Sequence, residues 1–505
     1  MHMRVIHSLI VIVAFLLPLF ITLKIVLTGN IPFWYDNARD LLLAWDNLNK
    51  PTLIGPTSGI PGIFYGPYWI WLLSIGLLFS KDPRIPGIIV GILPYFTVFP
   101  LILFQFSKLF GKKIIVLIWL LFILTVGMKY ITNMWNPHLA PLLFLILVYF
   151  LVFTNFTQKG WRTYTKLILM GFVAGLIINF HISFGIGVFF GTLLFFLIDF
   201  IRTCKDNKKR IKYISLNRLF LLVLFLSGLI ISYIPFLLFE YRHGFHQLQV
   251  AIHALTKYGA VVSQQGLTKV EILQHFFGRP ATLLQFNPLL VCAIELIVLA
   301  YFLIALKHNK LKLKENEKKL LIVLSTLSIG ILFIYLTARN PVWDYHFIGT
   351  EVIFLLLIAL VIRKFYILKY LLTAWVIFLT ISSFISFTKS FNTPYAPLDL
   401  STKEYITDTI ARDAAKTSYT VFNYSPSIYQ YDYSYLFKWR HHKDIPYDPS
   451  NTPANSKLIY LIIPPASEDA IKDFINYRTP NKDYKTSKDW KIADGTTIIK
   501  RVRVK

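Results

Sequence analysis

Twelve apolar runs, each nearly free of charge, divide most of the chain. They lie at about Val5–Val26, Pro67–Phe79, Ile85–Phe106, Ile114–Met128, Leu139–Phe153, Leu167–Ile178, Phe184–Ile201, Leu219–Phe239, Pro288–Leu306, Leu320–Leu336, Phe347–Ile362 and Tyr370–Phe387. A hydrocarbon core of about 30 Å takes about 20 apolar helical residues per crossing, so the pattern is that of a polytopic α-helical membrane protein. The first run follows a single Arg4 and ends without a small-residue cleavage site, and reads as a retained span. Beyond Ser390 the pattern changes to turn-rich segments of mixed polarity. It predicts a helix over Ser401–Lys416, strands over Ser418–Asn423 and Lys457–Ile463, and a helix over Ser467–Tyr477 capped by Ser467. A closing hairpin is expected to turn at Asp494–Gly495, between Trp490–Ala493 and Thr496–Val504. The domain division is therefore a membrane module over 1–389 and a small α/β domain over 390–505.

Loop charge sets the expected topology. Residues 107–113, 154–166, 202–218, 307–319 and 363–369 hold 22 Lys and Arg, whereas the intervening loops are poor in them. The positive-inside rule places the basic loops in the cytoplasm. With a cytoplasmic N-terminus the parity closes only if one early run stays out of the bilayer. Pro67–Phe79 is short, opens at Gly66–Pro67 and carries Tyr68, Trp69 and Trp71, which suit the outer membrane surface. The expectation is thus about eleven spans in the cell (plasma) membrane, a first external loop at 28–84, a second long one at 240–287, and an external C-terminal domain. Composition adds exclusions. Of 505 residues 55% are hydrophobic and only 15% charged, which excludes a soluble globular chain. The net charge of +26 sits in the loops as a topology signal, so nucleic acid is not an expected partner. Two cysteines, Cys204 and Cys292, exclude a disulfide framework.

Any acid–base chemistry on the outer side must draw on Asp36, Asp40, Asp46, Asp82, Glu240, Glu271, Asp344, Glu351 or a histidine. Asp36–Trp45 reads as an amphipathic helix lying on the membrane, with Asp36 and Asp40 on one face and Arg39 beside them. By spacing alone the reading that stands ahead is Asp36 as a helix N-terminal acid favoured by the dipole, with Arg39 its solvated partner. Arg242 and His243 follow the span ending at Phe239, where they either meet a phosphate or snorkel to the interface beside Glu240. Trp343–Asp344–Tyr345–His346 offers groups for a sugar ring or for an aromatic belt. Glu295, inside an apolar run, reads as a hydrogen-bonded structural carboxyl. His308–Asn309–Lys310 and His441–His442 give no metal-site spacing, and no cofactor is expected.

Tyr35–Asp36–Asn37–Ala38–Arg39–Asp40, Leu53–Ile54–Gly55–Pro56, Gly66–Pro67–Tyr68, Trp135–Asn136–Pro137 and Pro235–Phe245, in this order, resemble bacterial and archaeal membrane glycosyltransferases of the glycosyltransferase family 39 type. Those enzymes have the GT-C fold, shared with protein O-mannosyltransferases and the lipid A aminoarabinose transferase. The resemblance spans nearly the whole chain. It implies a polyprenyl-phosphate-linked sugar donor, inverting transfer to a glycan, lipid or protein acceptor on the outer side, and an essential Asp that falls on Asp36. Asp40 joins it as the second carboxylate, Arg242 and His243 are placed at the donor phosphate, and Arg39, Tyr65, Asn136, His138, Asp344, Tyr345 and His346 line the sugar and acceptor cavity. Relatives often carry an acid–Lys pair where this chain has Tyr65–Gly66, and some place an Asp in the loop that here, at 129–138, contains no acid. A lipid-linked sugar flippase and a surface-polysaccharide ligase are the alternative functions. A transporter is expected to carry internal repeats and charges inside the bundle, whereas this chain sets its polar residues on the outer rim.

Overall fold

A computed structural model describes residues 2–504 except 59–61, 207–210, 257–265, 288–290, 292–312, 339–340, 391–398, 416, 426–428 and 452–455. Apart from Val291, the expected span Pro288–Leu306, with Cys292 and Glu295, lies outside the described residues, as does the His308–Lys310 segment. The first helix, α1 (His2–Thr28), runs for 27 residues. It is followed by α2 (Tyr35–Asn47) and α3 (Tyr68–Phe79). The bundle continues through α4 (Arg84–Gln105), α5 (Lys112–Thr132), α6 (Asn136–Phe153), α7 (Trp161–Phe180), α8 (Ile182–Asp206) and α9 (Ile211–Arg242). Three short helices follow, α10 (His246–Thr256), α11 (Lys269–Phe277) and α12 (Arg279–Leu284). Then come α13 (Glu315–Thr337), α14 (Glu351–Lys364) and α15 (Tyr366–Ser390). Among the described residues eight helices, α4 to α9 with α13 and α15, are long and apolar enough to cross a bilayer. The chain is a multi-pass membrane protein.

Two expected runs are shorter as helices than a bilayer is thick. Helix α3 has 12 residues, about 18 Å at 1.5 Å each, and buries Trp69, Ile70, Leu73 and Leu77, packing on α2. The run Phe347–Ile362 becomes the 14-residue α14, about 21 Å long, because Asp344–Phe347 forms a separate single turn ahead of it. The loop 240–287 contains the three short helices, which the sequence pattern did not predict. α7 and α9 approach so closely that a Cβ at Gly171 would lie 1.8 Å from the Phe225 carbonyl oxygen, and one at Gly228 would lie 1.9 Å from that of Ile168. Small residues at both sides of this crossing let the backbones meet, which is how helices associate where lipid supplies no hydrophobic drive.

The C-terminal domain adds α16 (Leu400–Ala414), β1 (Thr420–Asn423), α17 (Tyr431–His441), β2 (Leu458–Ile463), α18 (Glu468–Arg478), β3 (Tyr484–Lys491) and β4 (Thr497–Arg503). The strands stand in the order β1-β2-β4-β3, with β1 parallel to β2 and the remaining pairs antiparallel. The crossover from β1 to β2 carries α17, which the sequence pattern missed. One sheet face packs Val421, Tyr460, Ile462 and Ile498 against Ile406, Ile410 and Phe437, and the other packs Ile459 and Leu461 beside Ile471, Phe474 and Ile475 of α18. Ser467 caps α18 by accepting from Ala470 N, as expected.

This domain is stitched to the start of the membrane module. Leu400 N donates to Ile31 O at 2.9 Å and Ser401 N to Gly29 O at 3.0 Å. Arg84 binds Glu404 through two nitrogens at 2.7 and 2.8 Å, and the Tyr435 hydroxyl donates to Lys81 O at 2.7 Å while its ring packs near Phe33 and Trp45.

Candidate functional site

The start of α2 is held in place by side-chain bonds to the turn between α5 and α6. Trp34 N donates to Asn37 Oδ1 at 3.0 Å, and Asn37 Nδ2 donates to Met134 O at 2.5 Å and to Asn133 Oδ1 at 3.3 Å. Trp34 Nε1 also reaches Asn133 Oδ1. This fixes the first helical turn, from which Asp36, Arg39 and Asp40 project to one side.

Asp40 is fully buried. Its Oδ1 accepts from both Arg39 Nε and Nη2 at 2.8 Å, and its Oδ2 accepts from Trp69 Nε1 of α3 at 2.8 Å. Arg39 turns its remaining terminal nitrogen to Asp36 Oδ1, also at 2.8 Å. Asp40 therefore takes two of the three guanidinium contacts and Asp36 takes one, so Asp36 is the less compensated of the two carboxyls. Burial pushes the Asp40 carboxyl up to about 6, against the pull of Arg39 and Trp69, and leaves it ionised at neutral pH. Burial likewise raises the Asp36 carboxyl, opposed by Arg39 and by hydrogen bonds from Arg39 and Trp135. For Arg39, burial works against the charge, and the two carboxylates more than offset it.

Around Asp36 the structure gathers several of the expected residues. Trp135 stands close enough to Asp36 to lower its carboxyl and packs on Tyr345 with ring centroids 5.2 Å apart. Tyr65 lies beside Asn136 and within electrostatic reach of Asp36 and Tyr345, and burial pushes its phenol up. It sits in a narrow loop in which Gly55 N donates to Tyr65 O at 2.8 Å and Tyr65 N to Pro56 O at 2.9 Å. The following Gly66 has no room for a side chain, since a Cβ there would overlap Asn179 Oδ1.

Other expected residues have supporting places. Asn136 Nδ2 donates to Phe180 O, and the buried His138 is turned inward with its Nδ1 on Asn133 O. His346 Nδ1 accepts from Trp343 N, and burial lowers its imidazole to about 4, so it is neutral. Arg242 and His243 are exposed at the end of α9, where His243 stacks on Phe239 and bonds its carbonyl. Among the described residues no hydrogen bond joins them to the Asp36 group.

The sequence reading missed Arg279. This buried guanidinium donates to the Asp344 carbonyl at 3.0 Å and carboxylate at 3.1 Å, and lies 3.7 Å from Glu351 Oε1. Glu351 is fully buried and accepts from the Tyr130 hydroxyl at 2.8 Å and Gly349 N at 2.7 Å. His275 joins from α11 at 3.0 Å from Asp344. These groups tie α5, α11, α12 and α14 to the turn that presents Tyr345 and His346. The only sequence signal was one Arg after Gly278 in a loop with few cations.

Beyond Tyr65 lies an apolar cavity of about 460 Å³ among α7, α8 and α9, lined by Tyr65, Gly66, Ile182, Phe189, Tyr233 and Phe236 among others. Among the described residues no group of three or more His, Cys, Asp or Glu could hold a metal ion.

No family model and no curated protein sequence matches the chain. Among solved structures it is similar to ArnT from Cupriavidus metallidurans bound to undecaprenyl phosphate, with a TM-score of 0.59 and 10% identity over 97% of each chain. The apo state of the same protein gives a TM-score of 0.50 and 12% identity over the same shares. The Archaeoglobus fulgidus oligosaccharyltransferase gives 0.48 and 14%, over 96% of this chain and 72% of that one. The likeness to ArnT, a lipid A aminoarabinose transferase, extends from the first helix through the C-terminal sheet, and the chain has the GT-C fold.

Proposed function

We propose that the protein transfers a sugar from a polyprenyl-phosphate-linked donor to an acceptor hydroxyl on the outer side of the membrane, with inversion. The observation that carries this reading is a carboxylate, Asp36, held just after α1 with its charge only partly compensated, beside an apolar cavity that begins at Tyr65. A polar reacting group next to a slot for an isoprenoid tail is what such a donor requires. The ArnT structure that shares the fold holds undecaprenyl phosphate, which supports the same donor class.

In this reading the acceptor hydroxyl gives its proton to Asp36 as its oxygen attacks the anomeric carbon from the face opposite the phosphate. The bond from that carbon to the phosphate oxygen breaks, and polyprenyl phosphate leaves as a stabilised anion. Asp40 acts through Arg39, fixing the guanidinium beside Asp36. Arg242 and His243 meet the donor phosphate: α9 lines the cavity through Leu229, Tyr233, Phe236 and Leu237, and the two cations follow at its end. Tyr65, Asn136, His138, Asp344, Tyr345 and His346 shape the wall of the sugar cavity.

Purified protein incubated with a panel of polyprenyl-phosphate sugars and cell-envelope acceptors should release free polyprenyl phosphate. Absence of release from every donor, with the lipids shown to bind, would defeat the transferase reading and favour a lipid-sugar carrier.

A further inference from the structure

Four tyrosines gather at the mouth of the Asp36 site, three of them from the C-terminal domain. Tyr35, which precedes Asp36, meets Tyr431 edge to face at 5.0 Å. Tyr431 stacks on Tyr447 at 4.5 Å with ring planes 22° apart. Tyr429 lies 5.8 Å from Tyr431 and 5.9 Å from Tyr447. Tyr429 and Tyr447 are 36% and 46% exposed, whereas Tyr35 and Tyr431 are half-buried. A solvent-facing aromatic group of this size would relax if it were only loosely held.

It is held by a buried polar brace. Gln430 is 3% exposed and uses every group it has: its N donates to Tyr447 O at 2.7 Å, its Nε2 to Pro446 O at 3.0 Å and Val421 O at 3.3 Å, and its Oε1 accepts from Asn423 N at 2.8 Å. The two tyrosine-bearing segments are thus locked to each other and to β1, so the rings are set before any ligand arrives. The group is continuous with the site. Arg39 lies 5.6 Å from the centre of the Tyr35 ring, and α17, which begins at Tyr431, packs on α2. Asp432 stands within electrostatic reach of Asp36 and pairs with Lys403.

We propose that Tyr35, Tyr429, Tyr431 and Tyr447 form a platform for a pyranose ring of a glycan acceptor, delivering its hydroxyl to Asp36. A pyranose has an apolar C–H face bordered by hydroxyls. Aromatic faces bordered by phenol hydroxyls match both parts of it, at low cost in side-chain entropy. An acyl chain would be better served by the apolar cavity beyond Tyr65. That the glycan is an acceptor rests on the transferase reading, whereas glycan binding rests on the four rings alone.

The test uses the full-length protein in nanodiscs, with chitotetraose and mannotetraose as probes at millimolar concentration and saturation-transfer NMR as the readout. At least one probe should receive saturation at its ring C–H protons. Tyr447→Ala, an exposed position with its melting temperature checked, should weaken binding at least tenfold, and Tyr447→Phe less than threefold. No transfer to either probe, equal binding by Tyr447→Ala, or transfer only to a Gly-Ser tetrapeptide overturns the platform. Decaprenyl phosphate binding to the unmutated protein is measured separately. If it fails while the oligosaccharide binds, the donor reading falls and a glycan-binding surface remains.

Discussion

At the residue scale the proposed chemistry rests on how differently Asp36 and Asp40 are held. The two share a helix face, but Asp40 is sealed behind Arg39 and Trp69 while Asp36 keeps some exposure. Asp36→Asn preserves size and removes the charge, so turnover should fall about 100-fold or more, the scale of one general base. Asp40→Asn should cost less. The wild-type rate should also fall on the acid side at a higher pH than an ordinary aspartate would give, because protonation removes the carboxylate and burial raises its pKa. A second loss is expected near pH 6, as Asp40 takes a proton and releases Arg39. Pre-steady-state rates across pH 4–8 check both, and wild-type turnover in both asparagine variants would end the catalytic assignment. Arg242→Ala should weaken polyprenyl phosphate binding while leaving thermal stability within about 1 kcal/mol, since the side chain is exposed. Unchanged affinity in a lipid-binding titration would remove it from the phosphate site. The i, i+4 spacing and the position after the first span made Asp36 visible in sequence. Arg279 and Glu351 were invisible as a pair, because their meeting depends on how α12 and α14 pack.

Elements repeat the lesson in another form. Apolar runs of 12 to 22 residues, nearly free of charge, gave α4 to α9 directly, since a membrane-spanning helix is what such runs accommodate. Short helices in the loops were hidden, because α10 to α12 and α17 mix aromatic, charged and apolar residues and take their stability from neighbours. Ser467 and the Asp494–Gly495 turn marked the C-terminal elements well, as local chemistry sufficed there. The strand before that turn is longer than expected, beginning at Tyr484, because its exposed charged residues obscured the alternation. The α7–α9 crossing gives a prediction at this scale. Gly171→Leu would drive a side chain into the Phe225 carbonyl, so the helices must separate, at a cost of about 1–3 kcal/mol or more. A clear fall in melting temperature in detergent is the expected outcome, and none would mean that this contact is not close in solution.

For the whole molecule, the orientation expected from loop charge is open to a direct test. Ser80→Cys should be labelled by a membrane-impermeant thiol reagent from outside, and Lys112→Cys only after the reagent enters the cytoplasm. The opposite pattern would invert the topology. Leu400 and Ser401 hydrogen-bond to Ile31 and Gly29, so the segment leading into Asp36 is completed by residues near the far end of the chain. At about 5–20 residues per second, a ribosome makes the second half of that contact roughly 20–70 s after the first. Until then the early helices sit in the bilayer with the Asp36 segment unlatched and the tyrosines of α17 not yet made. A nascent chain stalled or cut short before α16 would therefore lack the contacts that latch the Asp36 segment, and the proposed site is completed only as synthesis finishes.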